Sequence, residues 1–174
     1  GFDVAHYPWK RYGVPDESGA VKLWCRLERE GEPLGWNVKF YGTADTYETD
    51  FKCGVKGYLC YDAAGWLQVK VRSEAVTVEG ADWGAAAGAE LVATSRGGRL
   101  RGVLHGAYYN CREWKCRLYM YEYDLPLSYS SRLQYGEGMA AYALVSYKMG
   151  RKGALYIKGD SSGKMKLGLR MRFF

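Results

Sequence analysis

The chain has 174 residues, 48% of them hydrophobic, which suits a single domain with a core of its own. Its net charge is +6, from 25 Lys and Arg against 19 Asp and Glu. No apolar run approaches the roughly 20 residues of a membrane-spanning helix, and no phosphate-cradling glycine motif, Ser-centred elbow or His pair at metal spacing occurs.

The 16 Tyr, 6 Trp and 23 Gly favour sheets and tight turns over helices. Only Asn37, Asn110, Gln68 and Gln134 carry side-chain amides, a scarcity that points to a heat-loving source. Charge is divided: the first 94 residues carry four more acids than bases, the remainder ten more bases than acids. Opposite halves of this kind suit head-to-tail contact between identical subunits. The basic residues are dispersed rather than clustered, so no nucleic-acid partner is expected.

Starting at Gly1, with no initiator Met and no charged-then-apolar leader, the chain reads as a processed or trimmed form. "GFDVAHY" is a short alternating segment, interrupted by Pro8 and Pro15, which keep residues 8–19 out of regular ladders. Residues 1–19 are therefore expected to form an arm and connector, and residues 20–174 one β-domain. From residue 20 onward period-two alternation recurs. "AVKLWCRLE" is expected to bury Val21, Leu23, Cys25 and Leu27, and "WNVKFYG" offers Trp36, Val38 and Phe40. "WLQVKVR" offers Leu67, Val69 and Val71, and "RLRGVLHGAYY" offers Leu100, Gly102, Leu104 and Tyr108. "WGAAAGAELVA" is the one candidate for a short helix, weakened by two interior glycines. "RLYMYEYD", "LSYSSRLQY", "MAAYALVSYKM", "ALYIKG" and the terminal "KMKLGLRMRFF" complete the strands. Turn signals separate them at "EGEPLG", "DAAG", "SRGG", "MGRKG" and "GDSSGK". The pattern predicts an all-β fold, an antiparallel, jelly-roll-like β-sandwich of about nine to eleven short strands with an N-terminal arm.

Five cysteines are present. Cys53 and Cys60, in "CGVKGYLC", and Cys111 and Cys116, in "CREWKC", are expected to close short loops as disulfides in an oxidising compartment. Cys25 reads as an inert buried thiol. No metal or cofactor is expected. Glu122, Asp124 and Glu137 lie among tyrosines and are the only candidate carboxylates for sugar chemistry, but solvated strand positions explain them better. "ADTYETD" with Asp45, Glu48 and Asp50 lacks regular calcium-loop spacing. His105 alternates with Val103 and Ala107 as a structural histidine. No catalytic residue is assigned.

These features favour a structural, non-enzymatic protein of the extracellular space or cell surface, a pilus-like filament subunit whose partners are identical subunits. Its arm, anchored by Phe2 and Val4 with His6 in phase, would complete a neighbour's sheet. No membrane span is expected on this reading. A single-domain viral coat protein fits the same features as the filament subunit, and two alternatives of other kinds remain. One is a secreted module that grips polysaccharide with exposed Tyr and Trp. The other is an outer-membrane β-barrel, although a barrel ending on Phe174 needs apolar residues two, four and six places earlier, where Arg172, Arg170 and Gly168 stand.

Overall fold

The structure is a computed structural model that describes residues 1–7, 18–45, 51–80, 83–125, 131–150 and 153–171. Pro8, Pro15, Glu48, Asp50 and the final Arg172–Phe174 lie outside the described residues. Twelve strands follow the alternation: β1 (Phe2–Tyr7), β2 (Ser18–Arg29), β3 (Leu34–Asp45), β4 (Phe51–Ala64), β5 (Leu67–Val78), β6 (Trp83–Thr94), β7 (Leu100–Cys111), β8 (Leu118–Tyr121), β9 (Ser131–Gln134), β10 (Gly136–Met149), β11 (Gly153–Asp160) and β12 (Met165–Met171). The fold is all-β. Ten strands form one antiparallel sheet and β8–β9 form a second, giving a sandwich-like arrangement.

The large sheet runs in chain order from β1 to β7 and then through β10, β11 and β12. Each strand is thus antiparallel to the one before it, and only the segment between β7 and β10 leaves the sequence. The turns explain the regularity. Between β11 and β12, Asp160 Oδ1 accepts hydrogen bonds from the Ser162 and Lys164 amides at 2.9 and 3.1 Å. Gly163 there takes φ +79°, a left-handed conformation that favours glycine.

Period-two alternation sorts each strand onto two faces. One face carries Val21, Leu23 and Leu27, Phe40, Leu59, Val71, Leu91, Leu104, Val145, Ile157, Leu167 and Leu169, every one of them exposed. Leu104 is 57% exposed and Leu167 72%. The other face carries the polar residues and is buried at Lys70, Glu90, His105, Tyr142 and Lys158, whereas Arg26, Lys56 and Lys166 on it stay about half exposed. Burial of Val21, Leu23, Cys25 and Leu27 is therefore corrected: Leu23 is 61% exposed and the Cys25 thiol is also exposed. Alternation gives the phase of a strand without saying which phase faces outward.

The candidate helix is corrected as well. Trp83–Thr94 is strand β6, paired along its length with β5 and β7. Its small residues serve contact with the covering segment. A Cβ on Gly84 would stand 2.5 Å from the Cys116 carbonyl oxygen, and one on Gly88 would stand 3.1 Å from Met120 Cε. The apolar packing is confined to this gap. Val76, Val78, Ala86, Ala107, Cys111, Cys116, Leu118 and Met120 form one cluster. Val92, Val103, Tyr142 and Leu144 form a second, with Tyr123 and Leu125 against it.

Gly84→Val should lower unfolding free energy by about 1–3 kcal/mol through overpacking. Gly102→Val, whose Cβ would meet nothing within 4 Å, should change it little. Denaturant titration of both variants under the same conditions checks the difference.

Candidate functional site: the charged interior

Residues 112–125 of the connection between β7 and β10 lie across the polar face. They begin with a 3₁₀ turn at Trp114–Cys116, continue through β8, and pass Glu122, Tyr123, Asp124 and Leu125 before the undescribed 126–130. Lys158 Nζ on β11 meets Glu122 Oε2 at 3.2 Å and Asp124 Oδ1 at 3.6 Å. It also stands 4.4 Å from the centre of the Tyr142 ring. Lys166 on β12 reaches Asp124 Oδ2 at 2.8 Å. Lys70 on β5 donates to the Tyr123 hydroxyl at 2.8 Å, and Arg101 on β7 lies 4.8 Å from that ring's centre.

Two adjacent residues, Tyr123 and Asp124, are thus reached from both β5 and β12. Those strands are five spacings apart in the sheet, about 24 Å if it were flat. The sheet therefore curls around the segment.

Tyr142 is the centre of the neutral part of the network. Its hydroxyl donates to Glu90 Oε2 at 3.1 Å and accepts from the Tyr123 amide at 2.8 Å. His105 stacks on the Tyr142 ring at 4.7 Å and 19°. Its Nδ1 lies 3.9 Å from Glu90 Oε2, beyond hydrogen-bond reach, and neither this nitrogen nor Glu90 Oε1 has a hydrogen-bond partner. His105 is buried with Val103 and Ala107, in the phase expected. Further along the face, Lys56 Nζ meets Glu74 Oε1 at 2.9 Å, and the Tyr41 hydroxyl donates to the same oxygen at 3.1 Å.

Asp124 is held below the usual carboxylate range. Burial pushes its carboxyl up, but the Lys166 hydrogen bond, the Leu125 amide and the Lys158 charge more than offset this.

The candidate carboxylates do not form a catalytic pair. Glu122 and Asp124 share one ammonium, whereas Glu137 lies elsewhere, exposed and accepting a hydrogen bond from Tyr108 at 2.8 Å. Both expected disulfides are corrected, since none of the five cysteines is joined to another. Cys53 and Cys60 stand seven residues apart on the single strand β4, hence on opposite faces and roughly 23 Å apart. Cys111 and Cys116 are both fully buried against Gly84, and the Cys111 thiol donates to the Glu113 carbonyl at 3.2 Å.

Phe2, Val4 and His6 pair with Leu23, Val21 and Gly19 of β2 in the same chain. Val4 is exposed on the apolar face. The arm's inner hydrogen bonds are made at home.

Sequence reasoning missed Lys70, Glu90, Tyr142 and Lys158 as interior residues. The signal was present in "VKVRSE", where Lys70, Arg72 and Glu74 occupy one phase of a strand too long to be only a solvated edge. Among the described residues no group of three His, Cys, Asp or Glu side chains is placed to hold a metal ion. No described helix is long and apolar enough to cross a membrane, a statement that concerns helices alone. Searches against protein-family models, curated proteins and solved structures find no match to this chain.

Lys158→Met removes the ammonium shared by the buried carboxylates of Glu122 and Asp124, the second of which keeps Lys166, and should cost about 3 kcal/mol. Lys166→Met, whose side chain is half exposed, should cost about 1 kcal/mol or less. Parallel unfolding titrations measure both. Because the folded Asp124 binds its proton less readily than the unfolded chain, its contribution is complete above about pH 4 and is lost as pH falls below it. Unfolding free energy measured from pH 5 to pH 2 should therefore fall less steeply in Asp124→Asn than in the wild type.

Proposed function

We propose that this chain is a membrane-embedded β-barrel wall whose interior is filled by its own β7–β10 segment. The observation that carries the reading is the inverted polarity of the sheet. Ten strands turn an almost uncharged apolar face outward, while the other face carries the lysines, arginines, carboxylates and tyrosines, with Lys70, Glu90, His105, Tyr142 and Lys158 buried there. Water penalises such a face, and hydrocarbon welcomes it.

Three further features support the proposal. Strands β2 to β7 and β10 run 12–14 residues, enough for a tilted crossing of a bilayer core that needs about 9–11. Exposed aromatics gather at the two ends of the strands: Tyr61, Trp66 and Tyr147 at one end, Phe51, Trp83 and Tyr108 at the other. Leu, Val, Ala and Gly fill most of the band between them, with Phe40, Cys25 and Ile157 among them. Finally, the ten strands are even in number, so the outer edges of β1 and β12 run antiparallel and are fit to pair and close the wall.

A second reading uses the same edges. The free rim of β1 in one copy would pair with that of β12 in the next, giving a sheet-joined filament by strand complementation.

One experiment separates the readings. The chain is refolded with lipid vesicles whose acyl chains carry bromine, and with unbrominated controls. The barrel reading expects strong quenching of tryptophan fluorescence, a monomer in detergent, and faster gel migration before boiling than after. A ladder of higher species that disappears when residues 1–7 are removed would favour the filament. Solubility without detergent together with no quenching would overturn the membrane reading.

A further inference from the structure

Beside the closed ionic network lies a cleft of about 370 Å³, bounded by β3, β4 and β5 on the sheet and by β8 on the covering segment. Arg72 is its central charge. Arg72 projects from β5 between Tyr58 on β4 and Gly88 on β6. Its guanidinium carbon stands 5.4 Å from the Tyr58 ring centre and 4.6 Å from that of Tyr121. The rings hold the plane of the guanidinium but offer no acceptor to its N–H groups. Its Nε is sealed from solvent with no hydrogen-bond partner.

No carboxylate among the described residues neutralises Arg72. Glu74, the acid that lines the cleft, is taken by Lys56 at 2.9 Å and by Tyr41 at 3.1 Å. Glu90, on the neighbouring strand, is held by Tyr142 at 3.1 Å. Lys56 and Glu74 cancel, which leaves the cleft one positive charge, and a partly buried cation without its anion is costly. Tyr119 and Asn37 also line it, one an exposed ring and the other an amide able to donate or accept. The volume equals roughly a dozen waters, room for one ring and one anionic group.

We propose that this cleft is a binding site for a small planar organic anion, with its carboxylate or phosphate on the Arg72 fork and its ring against Tyr119. The proposal stands on the cleft alone and does not require the membrane reading. A guanidinium presents paired donors that match either oxyanion, and the tyrosines supply a stacking surface.

Isothermal titration of the refolded full chain with phenyl phosphate, inorganic phosphate and phenol tests it. Phenyl phosphate should bind more tightly than inorganic phosphate, and phenol should not bind. Arg72→Gln should weaken phenyl phosphate about tenfold or more, as loss of a charge-assisted pair requires, and Arg72→Lys should recover only part of it. Tyr119→Ala, at an exposed position that leaves the fold intact, should cost phenyl phosphate about threefold, on the scale of one lost ring contact, and leave inorganic phosphate unchanged. Arg101→Gln removes an interior charge outside the cleft and should leave binding as it was. Equal binding of the two phosphates would overturn the ring contact. Absence of binding, or equal loss in Arg101→Gln and Arg72→Gln, would overturn the site.

Discussion

The ammonium of Lys158 is the buried ionic link between the two layers of this protein. Lys158 Nζ sits between Glu122 and Asp124 and over the face of Tyr142, so it joins β11, β10 and the covering segment at one point. The side chains of Lys158 and Asp124 are both nearly sealed from solvent. In that setting an ammonium without its carboxylates, or the reverse, is strongly unfavourable. Among the described residues the covering segment contributes few apolar side chains to the sheet, chiefly Cys116, Leu118, Met120 and Leu125. Its position is therefore set by charge and by tyrosine hydroxyls at least as much as by hydrophobic contact. Lys70 and Lys166 extend the same logic to the flanks.

That arrangement follows from which face the strands turn inward. A polar face that is covered has to satisfy its own donors and acceptors, and here long side chains do so by reaching across the curl of the sheet to meet on a short peptide. Small residues make the reach possible. Gly84, Ala86 and Gly88 bring the backbone of β6 close to Cys116 and Met120. The bulky residues of the same strand, Trp83 and Leu91, point the other way. One strand thus carries both halves of the design, a thin inner surface for packing and a broad outer one.

Much of this was legible in the sequence. The strands from "AVKLWCRLE" to "KMKLGL", and the turns at "DAAG", "SRGG" and "GDSSGK", were fixed by alternation and turn chemistry. The direction of the faces was not, because Val21 and Leu23 repeat at period two whether they meet a core or a bilayer. The Cys53–Cys60 spacing suggested a loop because seven residues can close one, but "CGVKGYLC" also alternates and forms the middle of a strand. "WGAAAGAELVA" looked helical because alanine favours helices in isolation, whereas here its neighbours on both sides complete its backbone hydrogen bonds. The interior network was the least legible part. Lys158 and Glu122 are 36 residues apart, and nothing local announces their meeting.

The two free edges bear on how such a sheet survives. Strand sharing between copies would satisfy the outer hydrogen bonds of β1 and β12, but it would leave the apolar face as bare as before. Leu104, Leu167 and their neighbours would still face water in a filament joined only at its rims. Closing β1 onto β12 inside a bilayer addresses both demands together. On that proposal the rims would pair with each other, and the face would meet hydrocarbon. The outward face is the larger demand, since it spans all ten strands where the rims span two. A reading that covers it therefore accounts for more of this molecule than one that joins edges alone.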